Sequence, residues 1–141
     1  MDADVEIVVR PSLETDLDAL SQFIEPFVSQ GRLLPRTRDE LADLIETGFV
    51  AVHGDSLVGF AALEIYSPKF SELRSLAVAP EFQGRGIGRR LVAACLELAK
   101  RRHVFEVMAI TSTDEFFRRC GFDFTLPGEK KALFLQTRSS Y

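Results

Sequence analysis

Leu76-Ala77-Val78-Ala79-Pro80-Glu81-Phe82-Gln83-Gly84-Arg85-Gly86-Ile87-Gly88-Arg89-Arg90-Leu91 is the stretch that decides the reading of this chain. An apolar strand runs into three alternating glycines and then into an amphipathic helix. Glycine lets backbone N–H groups approach a ligand closely, and the start of a helix adds unpaired N–H groups and a positive dipole end. Arg85, Arg89 and Arg90 bring three cations to the same place. The stretch reads as an anion cradle, and a phosphate-bearing ligand is the first expectation.

That positive charge is local. The 141 residues carry a net charge of -4 and a pI near 5.2, which argues against nucleic acid as a partner, since such binding draws on a broadly basic face. A composition of 46% hydrophobic and 27% charged residues describes one globular domain spanning 1–141, with neither disorder nor a membrane-embedded character. No apolar run reaches the roughly 20 residues needed to span a bilayer, and the acidic start Met1-Asp2-Ala3-Asp4 lacks the basic region of a secretory signal, so a cytoplasmic location is expected. Cys95 and Cys120 form no motif and read as free or buried thiols. His53 and His103 stand apart from each other and from any cysteine pair, and no metal site is expected.

Outward from the central stretch, the hydrophobic periods give the order of elements. Val5 to Arg10 is β-branched and closed by Pro11. Ser12 is expected to cap a helix with Leu13, Leu17, Leu20, Phe23 and Ile24 on one face, limited by Pro26. Thr37 caps a second short helix carrying Leu41, Leu44 and Ile45. From Phe49 the period switches to two, giving a meander of Phe49 to His53, Leu57 to Tyr66 and Phe70 to Val78. A helix from about Gly86 to Arg102, a strand from Val104 to Ile110, a short helix from Asp114 to Arg119 and two strands, Phe122 to Thr125 and Ala132 to Gln136, complete the chain. The order predicts an α/β (α+β) fold, one mixed sheet with helices on both faces.

Three glycine-rich phosphate motifs compete for residues 83 to 88. A Walker loop needs Gly-Lys-Ser/Thr where Gly88-Arg89-Arg90 stands, and a Rossmann fingerprint needs a third glycine where Arg89 stands and opens a run of βαβ units. Both fail. Gln83-Gly84-Arg85-Gly86-Ile87-Gly88, preceded by Leu76-Ala77-Val78 and followed by an amphipathic helix, closely resembles the acetyl-CoA-binding motif of the GCN5-related N-acetyltransferases, the GNAT family. The resemblance covers almost the whole chain and implies a mostly antiparallel sheet with a splayed parallel strand pair. It also implies acetyl-CoA as cofactor and acetyl donor. Residues 83 to 88 and Arg89 would then hold its pyrophosphate, and Leu76, Ala77 and Val78 would pair their main chain with its pantetheine.

The chemistry so implied is attack of an amine on a thioester carbonyl. It needs a neutral amine, a donor facing the developing oxyanion and a proton for the departing thiolate. The resemblance assigns the oxyanion donor to the Val78 backbone. Glu72, on the strand leading into the motif, is a candidate base acting through a water; the competing reading makes Glu72 and Arg74 a solvated or paired face of that strand. Phe116-Phe117-Arg118-Arg119-Cys120-Gly121-Phe122 places Phe117 where many family members carry the tyrosine that protonates the thiolate, and Phe117 has no proton to give. Water, a hydroxyl such as Thr111 or Ser112, or binding without catalysis are the alternatives. Phe116 and Phe117 then read most simply as core residues.

A second resemblance concerns the acceptor. Gly31 to Leu41, Thr111 with Phe116 to Phe122, and Lys130 to Ser140 look like the acetyltransferase domain of the bacterial N-acetylglutamate synthases, which acetylate the α-amine of L-glutamate at the start of arginine biosynthesis. Carried over residue by residue, Arg36, Arg138 and Ser140 match ligands of the glutamate carboxylates. Leu34 and Ser75 match main-chain contacts, and Glu72 and Thr111 match catalytic positions. Two guanidinium forks suit a dicarboxylate. The amino-acid-kinase-like domain of the longer synthases has no counterpart in these residues, so their arginine-feedback site is not carried over. Another small amine or a protein amino group as acceptor, and a non-catalytic acyl-CoA sensor, are the other readings. A homodimer through a terminal strand stays open.

Overall fold

The computed structural model describes residues 6–124 together with Leu133, Leu135 and Thr137. The chain divides between Thr111 and Ser112 into two compact units. In the first, five strands form one sheet in the order of the chain: β1 (Ile7–Pro11), β2 (Gly48–His53), β3 (Ser56–Ser67), β4 (Phe70–Val78) and β5 (Glu106–Met108). The first four pair antiparallel, and β4 with β5 is parallel. Helices α1 (Leu17–Ser29) and α2 (Arg38–Ile45) lie between β1 and β2 in the chain, and α3 (Ile87–Arg101) joins β4 to β5.

The period-two pattern of the meander sorts its side chains onto two faces. Val50, Phe60 and Ala62 pack with Leu20 and Ile24 of α1 and Leu41, Leu44 and Ile45 of α2. The alternate cross-strand pair, Ala51 with Gly59, faces the other way, where Leu91 of α3 comes within 3.0 Å of the position a Gly59 Cβ would take. The stripe of α3 on that side, Ile87, Leu91, Val92, Cys95 and Ala99, is buried throughout. Burial without a partner charge pushes the Cys95 thiol up to about 12, which leaves it an apolar packing group.

Several local expectations are corrected. Ser12 does not cap α1: its hydroxyl is buried and donates to the Ile45 carbonyl at 2.7 Å, tying the end of β1 to α2. A 3-10 turn, Glu14–Asp16, leads into α1 instead. The Asp16 carboxylate accepts from the Leu13 N–H at 2.7 Å and takes both arms of Arg10 at 2.8 and 2.9 Å. Pro26 does not end α1 but lies within it. Both it and Gln22 are exposed, so the carbonyl that Pro26 cannot serve faces solvent. Thr37 caps α2 as expected, in a reciprocal pair with Glu40. β5 is shorter than the expected 104–110.

In the second unit, α4 (Asp114–Arg119) forms as expected, with Phe117 buried edge-on against Phe116 and Phe122. The reading of Phe117 as a packing residue therefore holds. Phe122 to Phe124 are not a strand. The last expected strand, 132–136, lies largely outside the described residues.

Gly48 sits where β2 leaves α2, and a Cβ there would come within 2.9 Å of the Leu44 carbonyl, the Phe60 ring and the Ser12 hydroxyl. Gly48→Ala should therefore destabilise the protein by about 1–3 kcal/mol, read as a lower urea midpoint. The hydrogen bond from Arg10 lowers the Asp16 pKa. A group whose pKa is lower in the folded chain adds stability above its unfolded value and loses it as pH falls through the folded one. Asp16→Asn should thus cost about 1 kcal/mol at pH 7, and the gap to the parent should narrow in urea titrations as pH falls below the ordinary aspartate range.

Candidate active site

The loop between β4 and α3 is built to leave donors free. Gly84 and Gly86 have φ of +80° and +78°, the left-handed region that side chains disfavour. Gly86 is the N-cap of α3 and contributes no side-chain cap, and the first turn holds no acidic residue. The first intrahelical bond runs from the Arg90 N–H to the Gly86 carbonyl, so the N–H groups of Ile87, Gly88 and Arg89 precede the helical ladder. α2 closes its own N-terminus with Thr37 and Glu40; α3 leaves its end to an outside acceptor. Arg85 is steadied over the Phe82 ring at 5.0 Å, Phe82 in turn lies against His53, and Arg90 donates to the Ile7 carbonyl. An anion with several oxygens fits these donors.

Ahead of the loop the sheet opens. β5 pairs with β4 only at Phe70, Ser71 and Glu72, and Met108, opposite Glu72, is its last residue. The buried Ser71 hydroxyl donates to the Glu106 carbonyl and pins the base of this fork. β4 continues to Val78, so its edge from Leu73 onward has no β5 beside it. On its other side a bulge interrupts the pairing: Phe60 faces Ala77 while Ala62 faces Arg74, leaving Ser75 and Leu76 opposite Ala61. Ser75 adopts φ +58°, left-handed without being glycine.

The bulge sets which way the last residues face. The Ala79 N–H donates to the Val58 carbonyl of β3 at 2.8 Å, so by strand alternation the Val78 main chain is directed to the open side. There Gln83 reaches back and donates from Nε2 to the Val78 carbonyl at 3.1 Å. The glycine loop is thereby anchored to the strand whose edge it extends.

At the fork, on the sheet face that carries α1 and α2, lies a polar cluster. Glu72, with 7% exposure, stands directly across from Glu64, and Arg74 across from Ala62. Like charges facing each other across a ladder repel. Arg74 Nη1 answers both, at 3.1 Å from Glu72 and 3.2 Å from Glu64. The Tyr66 hydroxyl completes the group at 2.7 Å from Glu72 Oε1, 2.8 Å from Glu64 Oε2 and 3.1 Å from Arg74. Burial works against the Arg74 charge, and the field of Glu72 with the Tyr66 and Glu64 contacts outweighs it, leaving Arg74 above its ordinary value. Burial first, then the bonds to Glu72 and Glu64, raise Tyr66 well above an ordinary phenol.

Arg36, in the connection from α1 to α2, belongs to the same neighbourhood. Bonds from Thr37 lower the Glu40 pKa first, and the charges of Arg36 and Arg74 add to that. Arg36 Nε is enclosed and has no hydrogen-bond partner among the described residues. An enclosed guanidinium N–H without a partner can take up a hydrogen-bond acceptor such as a carboxylate. Leu34 is exposed beside it. Thr111 closes the first unit, beyond β5, and is exposed. Arg138 and Ser140 lie outside the described residues. Of the two readings of the Glu72–Arg74 alternation, the paired face is what the geometry has: the two form an ion pair, with Glu72 buried rather than solvated.

Tyr66 and Glu64 escaped the sequence reading. Their signal is the hairpin register, which sets Glu64 opposite Glu72, but that register shifts between Ile65 and Ser67 and is not fixed by the Ser67-Pro68-Lys69 break alone.

A strand fork leading into a helix end without a side-chain cap offers main-chain donors to an elongated ligand that ends in phosphate. The profile of the Acetyltransferase (GNAT) family matches residues 15–122. An uncharacterized N-acetyltransferase of Chlorobaculum tepidum is 34% identical over 114 residues, 81% of this chain and 74% of its own. The amino-acid acetyltransferase of Mycobacterium tuberculosis is 31% identical over 122 residues, 84% of this chain and 70% of that one. N-acetylglutamate synthase from Neisseria gonorrhoeae, solved with coenzyme A and N-acetyl-glutamate, superposes with a TM-score of 0.73 at 30% identity, over 82% of this chain and 28% of that longer one. The chain belongs to the GNAT family, and it is an acetyl-CoA-dependent N-acetyltransferase.

Gly86→Ala should weaken acetyl-CoA binding about tenfold, because the left-handed cap costs a side chain about 1–2 kcal/mol and its relief moves the N–H groups. Calorimetric titration, with thermal melting to show that the fold survives, checks this.

Proposed function

We propose that the enzyme acetylates the α-amine of an amino acid, and that the amino acid is acidic, L-glutamate first. The observation that carries the reading is Arg36, whose enclosed Nε has no partner among the described residues and whose charge, like that of Arg74, acts on Glu40. The relatives named amino-acid acetyltransferase and N-acetylglutamate synthase support the same class of acceptor.

In this reading acetyl-CoA supplies the thioester carbonyl, with its diphosphate on the N–H groups that open α3. The residues of the chain do the rest. Arg36 binds an acceptor carboxylate with a fork that is planar and permanently charged. By the resemblance, Arg138 and Ser140 are the further carboxylate ligands, and the main chains of Leu34 and Ser75 contact the backbone of the amino acid. Glu72 takes a proton from the amine, which makes the nitrogen lone pair available for attack. The Val78 N–H, on the open side of β4, donates to the oxygen on which charge develops. Thr111 is the hydroxyl assigned to the departing thiol. A place at the head of arginine biosynthesis, in the cytoplasm, and a homodimeric assembly belong to the same proposal.

The test is thiol release from acetyl-CoA across a panel of amino acids. Glutamate should give the highest kcat/KM, and background release with every acidic amino acid would overturn the assignment. Arg36→Ala should raise the acceptor KM about tenfold or more with a smaller effect on kcat, whereas Glu72→Gln should lower kcat with a smaller effect on the acceptor KM. Acetyl-CoA affinity should change little in either variant. Equal loss of acetyl-CoA binding in both would contradict the roles given.

A further inference from the structure

Glu72 and Glu64 share one phenol. The Tyr66 oxygen is 2.7 Å from Glu72 Oε1 and 2.8 Å from Glu64 Oε2, both within the range of a strong O–H to carboxylate bond. A tyrosine hydroxyl carries a single hydrogen, so it can donate to only one of the two carboxylates at a time. The other contact at that distance is favourable when the carboxyl concerned carries a proton and donates it to the phenol oxygen. The arrangement is a three-member chain that holds a proton on either end. Arg74 Nη1, at 3.1 to 3.2 Å from all three oxygens, keeps them in line and offsets one of the two negative charges.

The two ends differ in access to water. The Glu72 side chain is 9% exposed and the Glu64 side chain 33%. A base that takes a proton from each acceptor molecule must lose it before the next turnover, and Glu72 has little direct contact with solvent. We propose that Tyr66 and Glu64 are the proton outlet of Glu72, a relay that returns the base to its carboxylate form after each transfer. The proposal rests on the reading of Glu72 as the base.

Among the described residues the bonds from Tyr66 and Arg74 both end on Glu72 Oε1, and in the relay it is Oε2 that meets the amine. With the proton on Oε2, a half-turn about the terminal torsion, which is soft and two-fold in glutamate, exchanges the two oxygens. The proton then lies against Tyr66. It passes to the phenol oxygen as the original Tyr66 hydrogen passes to Glu64 Oε2. One O–H bond breaks at Glu72 and one at Tyr66, one forms at Tyr66 and one at Glu64, and the phenol ends neutral as it began. Glu64, as the neutral acid, gives the proton to water. No phenolate is required, in keeping with the raised pKa of Tyr66. Among the described residues the Phe70 ring stacks on Tyr66 at 5.6 Å, and the charge of Arg74 also acts on Glu40.

The experiment measures Tyr66→Phe and Glu64→Gln beside Glu72→Gln, with the acceptor that the amino-acid panel selects and with acetyl-CoA, from pH 6 to 9. Imidazole is added as an external proton carrier, and thermal melts monitor folding. The relay predicts that kcat falls about tenfold in Tyr66→Phe and less in Glu64→Gln, with KM for the acceptor within about twofold of the parent. It also predicts that imidazole restores turnover in both variants and leaves the parent unchanged, which a merely structural role would not do. Parent-like kcat in both variants, or a loss that imidazole does not restore, overturns the relay. If Glu72→Gln turns over like the parent, the base assignment fails and the relay with it. If Glu72→Gln loses turnover while the other two keep theirs, the relay alone is wrong. An enzyme inactive on every acceptor of the panel overturns both.

Discussion

A backbone edge that has lost its neighbour must find other partners, and much of this structure follows from where that loss occurs. β4 and β5 run together only as far as Glu72 and Met108, and beyond that point that edge of β4 has no strand beside it among the described residues. In a closed sheet those N–H and C=O groups would be satisfied by the ladder. Here the Gln83 side chain takes the Val78 carbonyl, and the Val78 N–H is left toward the gap. The same strand then turns into the uncapped end of α3. Free backbone donors therefore follow one another from the fork to the helix, which suits a long ligand with an amide-bearing arm and a phosphate end.

The fork also explains the placement of charge. Its last paired residue on β4, Glu72, is buried on the face that carries α1 and α2, across from Glu64. Two facing carboxylates are an unfavourable cross-strand pair on their own. Arg74, one strand position pair further along, and Tyr66 convert the repulsion into a shared hydrogen-bond group. Such a group fixes the Glu72 side chain more firmly than a single ion pair would, because its members constrain one another. The bulge at Ser75 and Leu76 follows at once, so the base, the change of strand direction and the exposed Val78 main chain occupy one short run of β4.

The legibility of the chain varied with how local each signal was. The Thr37 cap and the alternation of the meander depend on residues close to each other in sequence, and each formed as read. Ser12 misled because its hydroxyl found a tertiary partner, the Ile45 carbonyl, that no local rule contains. Pro26 misled because a proline on an exposed helix face deprives only a solvent-facing carbonyl. Phe122 to Phe124 have strand-like composition and no strand, since Phe122 packs on Phe117 instead.

Sequence alone determined the donor. The spacing of Gln83, Gly84, Gly86 and Gly88 before an amphipathic helix is a short-range pattern, and backbone N–H groups bind phosphate whatever the rest of the fold does. It also determined that Phe117 cannot donate a proton, which is a property of the residue itself. Only the tertiary structure decided the surroundings of Glu72. Glu64, Tyr66 and Arg74 meet it through the register of β3 on β4. The charges of Arg36 and Arg74, far apart in sequence, both act on Glu40 of α2, which packs on that face. Register and packing are long-range choices made by the whole core at once, and the residue types at those positions do not record them.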